Sequence, residues 1–259
     1  MDNWGEKPFL PPRWAADTGP MVQVLCVANQ KGGVGKTTTA LALAAYGALA
    51  GRRTLLVDLD SQGNSSSVLC RDPNDQQGGS ALLAGQAPLA TGRDNLWVSP
   101  CGADGAPPEL GARVLGQALD PLRDSFDTVV IDCPPSLAGA ATAAMVAAKD
   151  LIIPIQSEYY ALEGLGQILG VVAALRDEGQ PGPERLRILL CMHDPALRLC
   201  RDVAAEVRSH LKDQVLATVI PRDVALATAP SHRQTIIEHH PLSPGSLAYC
   251  AAAKEIFDA

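Results

Sequence analysis

The sequence is poor in aromatic residues: three Trp, four Tyr and three Phe make up 4% of its 259 residues. Antiparallel sandwiches draw heavily on such β-formers. Their scarcity beside abundant Ala, Leu, Val and Gly points instead to helices packed closely on a sheet. No apolar run approaches the ~20 residues of a membrane span. The N-terminus carries Asp2, Glu6 and several prolines rather than a basic start and an apolar stretch, so no export leader is expected. The seven cysteines are scattered with no Cys-x-x-Cys, which argues against a zinc or iron–sulfur clamp and for reduced thiols in a cytoplasm. Basic charge is short as well, with 21 Lys and Arg against 28 Asp and Glu and a net charge of −7. The molecule as a whole does not attract nucleic acid or an anionic membrane, so any such binding needs a local patch.

What is present is a 47% hydrophobic chain long enough for one large core. Residues 1–20 hold Pro8, Pro11, Pro12 and Pro20 and read as an extended arm ahead of a single domain, 21–259. Trp4, Phe9 and Trp14 on that arm suit packing back onto the domain or docking on a partner. From Val22, short apolar runs alternate with helix-length segments. Val22–Ala28, Thr54–Val57, Asn95–Ser99, Thr128–Ile131, Leu151–Ile155, Leu186–Cys191 and Val215–Ile220 read as strands. Continuous apolar strands separated by helices predict an α/β fold: a mostly parallel, twisted sheet with helices on both faces. Gly63–Gly79 and Gly102–Pro108 are expected to be the main loops.

One segment carries the clearest chemistry. Lys31-Gly32-Gly33-Val34-Gly35-Lys36-Thr37-Thr38 leaves a buried strand and enters an Ala/Leu-rich helix. Glycines let successive backbone N–H groups curl around a phosphate, and the helix N-terminus adds a favourable dipole. Lys36 is placed to neutralise β- and γ-phosphates, the Thr37 hydroxyl to ligate Mg²⁺ and Thr38 to reach the α-phosphate. ATP with Mg²⁺ is the ligand expected of this P-loop. Two carboxylates, Asp58 and Asp60, end the second strand, where ligands of open α/β sheets bind. Asp132 ends another apolar strand before Cys133-Pro134-Pro135, the form of a Walker B carboxylate that holds Mg²⁺ through water.

Gln30 stands where the general P-loop pattern has its first glycine, and a second lysine, Lys31, opens the loop. In this the sequence resembles the deviant Walker A ATPases, which include the ParA/Soj, MinD and nitrogenase iron-protein families. The resemblance implies that Lys31 reaches across a homodimer to the partner's nucleotide, with Lys31, Lys36 and Asp60 as catalytic residues. It makes Asp60 the switch carboxylate that orients the attacking water and contacts the Mg²⁺ shell beside Thr37 and Asp132. Ile153 to Leu165 and the stretch Ile220-Pro221-Arg222-Asp223-Val224 narrow the likeness to ParA/Soj chromosome- and plasmid-partitioning ATPases over about Val22–Ile256. Pro221 and Asp223 are then expected beside the adenine, although the family usually has asparagine where Asp223 stands.

The implied function is an ATP-dependent dimerising switch that segregates or positions DNA or other cargo and hydrolyses ATP when a ParB-like or cargo-adaptor protein stimulates it. The family's basic C-terminal loop appears here as His239-His240-Pro241-Leu242-Ser243-Pro244-Gly245, which weakens the usual non-specific DNA surface. Another basic surface is available if Leu197–Lys212 is one helix. The 100° step then gathers Arg198, Arg201, Arg208 and Lys212 within about 80°. DNA contact through that stripe would place the protein on the nucleoid within the cytoplasm. Two alternatives remain. A MinD-like membrane-cycling ATPase needs an amphipathic C-terminal helix, and residues 254–259 are short and acidic, so no membrane is expected. A metabolic member of the superfamily, either a ligase or an iron–sulfur reductase, would have to use cysteines such as Cys101 and Cys133 in the second case.

Overall fold

The computed structural model describes residues 22–76, 78–158 and 161–258. The arm at 1–20 and Tyr159 therefore lie outside the described residues. The strands are β1 (Gln23–Val27), β2 (Thr54–Asp58), β3 (Leu89–Ala90), β4 (Leu96–Ser99), β5 (Thr128–Asp132), β6 (Asp150–Gln156), β7 (Arg185–His193) and β8 (Val215–Pro221). They form one sheet in the order β3-β4-β2-β5-β1-β6-β7-β8. Each neighbouring pair is parallel except β3 with β4.

The helices are α1 (Lys36–Leu49), α2 (Asn64–Leu69), α3 (Ala112–Leu119), α4 (Ala140–Ala147), α5 (Ala161–Asp177), α6 (Arg198–Leu211), α7 (Val224–Thr228), α8 (Ile236–His239) and α9 (Pro244–Phe257). Strand residues alternate between two separate cores, as a pleat of period two requires. Val24, Cys26, Val129, Ile131, Leu151 and Ile153 pack with Leu115, Met145, Ile168 and Val207 of α3 to α6. Leu25, Val27, Val130, Ile152 and Leu189 pack on the other face with Ala40, Leu43, Val68, Tyr249 and Ile256 of α1, α2 and α9. Small residues dominate α1 and α4, so their backbones approach the sheet closely, which is what the low aromatic content anticipated. The mostly parallel sheet covered on both faces is the expected α/β architecture.

Two local expectations change, and one strand is added. The segment 63–79 is not wholly a loop, because Asn64–Leu69 forms α2 and Pro73–Gln76 a 3-10 turn. The two-residue edge strand β3, antiparallel to β4, is too short to show a periodicity. The helix beginning near Leu197 ends at Leu211, and Lys212 takes φ 37° and enters a 3-10 turn. Lys212 therefore leaves the 100° repeat, and its place in the basic stripe is lost.

Candidate functional site

β1 lies centrally with β5 on one side and β6 on the other. The chain runs outward in both directions from this region, so the carboxyl ends of the strands open a crevice there, where ligands of doubly wound sheets bind. A cleft of ≈ 650 Å³ occupies that edge. Gly32, Gly33, Gly35, Lys36, Thr37, Thr38 and Asp60 line it on one side. Pro221, Asp223, Met192 and Tyr249 line it on another.

The loop's shape follows from its glycines. Gly35 sits at φ 97°, ψ 23° as the N-cap of α1, with no side chain to cap it. A residue with a Cβ is strained in that region. The first-turn N–H groups of α1 therefore face the cleft without a side-chain acceptor, which suits an anion. Val34 turns the other way into the core, 1% exposed. The entry is braced by Asn29: its Oδ1 accepts from the Lys31 N–H at 3.0 Å and its Nδ2 donates to the Pro154 carbonyl at 2.8 Å.

Lys36 is 7% exposed, and its Nζ donates to the Lys31 carbonyl at 3.0 Å. Burial lowers its pKa, while the carboxylates of Asp132 and then Asp60 work to raise it. Asp60 is 7% exposed, and its Oδ1 accepts from the Gln62 N–H at 3.0 Å. Beneath it, Asp58 is wholly buried and accepts from the Asp60 N–H at 3.0 Å, the Ser66 N–H at 2.9 Å and the Ser66 hydroxyl at 2.6 Å. It thereby ties the end of β2 to α2 and fixes the backbone that presents Asp60. Burial pushes the Asp58 pKa up, partly offset by those hydrogen bonds.

Asp132 is the anomaly. It is 1% exposed, and neither carboxylate oxygen has a hydrogen bond of sound geometry. The hydroxyls of Thr37 and Ser65 stand near enough to favour its charged form, but burial and then the charge of Asp58 drive its pKa well above the usual carboxylate range. A buried acceptor without a donor is costly and rare. Here its surroundings are a lysine, a threonine hydroxyl and a phosphate-shaped loop. Among the described residues no three His, Cys, Asp or Glu side chains form a metal cage. Mg²⁺ does not need one, because it commonly takes one or two carboxylates with substrate phosphates and water. The residues present fit that ion.

Asp223 caps α7: its Oδ1 accepts from the Ala225 N–H at 2.9 Å and its Oδ2 from the Gly245 N–H at 2.8 Å. Burial works to raise its pKa but is outweighed by hydrogen bonds from Gly245, Ala225 and Ser243, which hold it low. The carboxylate thus ties α7 to the start of α9 while lining the cleft. Lys31 does not line the cleft. Its Nζ lies 3.1 Å from Glu158 Oε2 and 3.3 Å from Gln156 Oε1 at the end of β6.

The basic residues of α6 are elsewhere and already engaged. Arg198 pairs with Asp202 at 3.3 Å, Arg201 donates to the Pro195 and Ala196 carbonyls, and Arg208 donates to the Ala217 carbonyl at 3.2 Å. Cys101 and Cys133 are both fully buried. Burial first, then Asp58 and Asp60, pushes Cys101 up to about 12, and contact with Cys26 Sγ at 3.6 Å together with burial raises Cys133. Neither is a thiolate presented to a cluster.

Sequence reasoning missed Cys191 and Met192, which follow from the parallel topology, since the end of β7 shares the ligand edge. It also missed Tyr249, whose hydroxyl is 2.9 Å from Thr39 Oγ1. That contact joins α9 to α1 across the cleft floor, and no local pattern announces it.

A model of the CobQ/CobB/MinD/ParA nucleotide-binding domain matches residues 25–236. The chain belongs to this family. It is 42% identical over 240 residues to the chromosome-partitioning ATPase Soj of Thermus thermophilus, covering 91% of this chain and 95% of that protein. It is 39% identical over 249 residues to the sporulation initiation inhibitor protein Soj of Bacillus subtilis, covering 91% and 98%. Among solved structures it resembles the cobyrinic acid a,c-diamide synthase of Mycobacterium smegmatis with bound ADP and magnesium, at 35% identity, a TM-score of 0.74, and 90% and 93% coverage. The ParA/Soj resemblance read from the motifs is thus borne out at the family level, and so is the P-loop fold class.

Proposed function

We propose that this chain is a ParA/Soj-like positioning ATPase whose catalytic site is completed by a second copy of itself. It hydrolyses ATP to ADP and phosphate with Mg²⁺ as cofactor. The observation that carries the reading is Asp132, a buried carboxylate whose oxygens make no hydrogen bond of sound geometry, set beside Lys36 and Thr37 at the mouth of a phosphate loop. Mg²⁺ would be held by the Thr37 hydroxyl and, through water, by Asp132 and Asp60, and it supplies charge neutralisation on the β- and γ-phosphates. Amides of Gly32, Gly33, Val34 and Gly35, with Thr37 and Thr38, cradle the phosphates. Lys36 balances their charge from a buried seat, where the interaction is weakly screened. Asp60, held by Asp58, orients the attacking water. Pro221 and Asp223 flank the base.

Lys31 acts in trans. Its side chain is held outside its own cleft, which suits a group that stabilises γ-phosphate charge in a partner's site as an arginine finger does. A ParB-like or cargo-adaptor protein stimulates turnover, and the net charge of −7 suits a basic partner segment. The protein works in the cytoplasm. Non-specific DNA contact through Arg198, Arg201 and Arg208, with Lys212 off the stripe, must displace the intramolecular partners of the three arginines. It is therefore weak, with a log–log salt slope no steeper than about −3. Arg198→Glu with Arg201→Glu that leaves ATP-dependent DNA retention unchanged removes DNA binding from this surface.

The deciding experiment measures ATP turnover alone, with DNA, and with a candidate partner. Stimulation by the partner, alone or with DNA, is expected. A basal rate unmoved by either refutes the positioning switch and favours a metabolic role, which the diamide synthase likeness keeps as the second reading.

A further inference from the structure

The end of β6 grips the phosphate loop at two points. Gln156 Nε2 donates to the Gly33 carbonyl at 3.2 Å, and Glu158 Oε2 with Gln156 Oε1 holds the Lys31 ammonium. The ion pair sits at the surface, with the Lys31 and Glu158 side chains 42% and 47% exposed. Bracing of the loop does not need it, because uncharged bonds already run from Lys31 N–H to Asn29, from Asn29 to Pro154 and from Gln156 to Gly33. The lysine's charge is therefore parked, in water, on a carboxylate that does not line the cleft.

We propose that Glu158 is a positioning residue that latches Lys31 in the free subunit and sets the threshold for ATP-dependent pairing. The proposal rests on the reading that Lys31 acts in trans. As two copies close, each Lys31 exchanges the Glu158 carboxylate for γ-phosphate oxygens of the other copy's nucleotide. The phosphate carries more charge in a site with less water, so it wins the exchange. An exposed ion pair is broken at the expense of roughly a two- to five-fold factor in equilibrium. A two-fold symmetric dimer breaks two latches, so removing them tightens pairing by about 4- to 25-fold.

The test uses the full chain with saturating Mg²⁺–ATP and measures turnover per subunit against protein concentration for wild type, Glu158→Gln, Glu158→Ala and Lys31→Ala. Both Glu158 variants are expected to reach half-maximal rate at about 4- to 25-fold lower concentration, with the plateau rate and the affinity of the monomer for ATP unchanged. An unshifted midpoint, or a lowered plateau showing that Glu158 assists the reaction itself, overturns the latch. Lys31→Ala separates the two ways to fail. If it is inactive while Glu158→Gln is unshifted, the latch alone is wrong. If it is fully active at every concentration, the trans reading falls and the latch with it.

Discussion

Asp132 offers a sharp test because its function and its contribution to stability have opposite signs. Its carboxylate is buried, makes no hydrogen bond of sound geometry and faces the charge of Asp58. Replacing it by Asn keeps the volume and removes the charge. A buried unsatisfied polar group is worth about 1–3 kcal/mol, and in a protein of this size each kcal/mol moves Tm by about 2–4 °C. Asp132→Asn should therefore raise Tm by roughly 2–12 °C in Mg²⁺- and nucleotide-free buffer at neutral pH. The pH dependence fixes the sign. Because the folded pKa lies above the unfolded value, the folded chain keeps a proton that the unfolded chain releases. The wild type loses stability as pH rises from the unfolded value of 3.8 through the raised folded value. The advantage of the variant should vanish below that window and be full above it. Saturating Mg²⁺–ATP should reverse the order, since ligand at 1,000 Kd adds about 4.1 kcal/mol to a chain that binds it. Differential scanning fluorimetry across pH, with and without Mg²⁺–ATP, reads all three. A variant less stable than wild type in ligand-free buffer at neutral pH would refute the reasoning.

Other outcomes follow from the same geometry. Lys36→Ala should abolish nucleotide binding in a direct binding assay, whereas Asp60→Ala should bind ATP, fail to turn it over and accumulate as an ATP-bound dimer in size-exclusion chromatography. Gly139 lies at φ 55°, where a Cβ would collide with the Pro108 carbonyl oxygen. Gly139→Ala should lose on the order of 3 kcal/mol, seen as a Tm drop of about 6–12 °C. Asp223→Asn turns an amide donor toward one of the two backbone N–H groups that the carboxylate now accepts, which costs about 1 kcal/mol or 2–4 °C. Because the Asp223 pKa is held low, that difference is present above 3.8 and is lost as pH falls through the folded value.

The phosphate loop, Asp60 and Asp132 were legible because each lies within a few residues of an apolar strand, and strand ends in a parallel sheet share one edge. The strand set was legible for the same reason, apart from β3, whose two residues are defined by pairing with Trp97 and Val98 rather than by their own pattern. Lys212 was misplaced because a helix projection assumes that the helix continues, and the positive φ there depends on how the chain turns into β8. Asp58 was legible as a carboxylate at the end of a strand, but its hold on Ser66, eight residues away, required the fold. Tyr249, Gln156 and Glu158 join the site from more than a hundred residues beyond the loop. Only their contacts with Thr39, Gly33 and Lys31 assign them to it.

A mixing experiment tests the shared site most directly. Lys31→Ala and Asp60→Ala are each expected to bind ATP and to be inactive alone, but a mixed dimer contains one complete site, with Asp60 from one copy and Lys31 from the other. If Lys31 acts in trans, an equimolar mixture regains up to about a quarter of wild-type turnover, since half the dimers are mixed and each has one working site. If mixed dimers form and turnover stays at the sum of the two variants, Lys31 serves its own nucleotide and the two-subunit account is wrong.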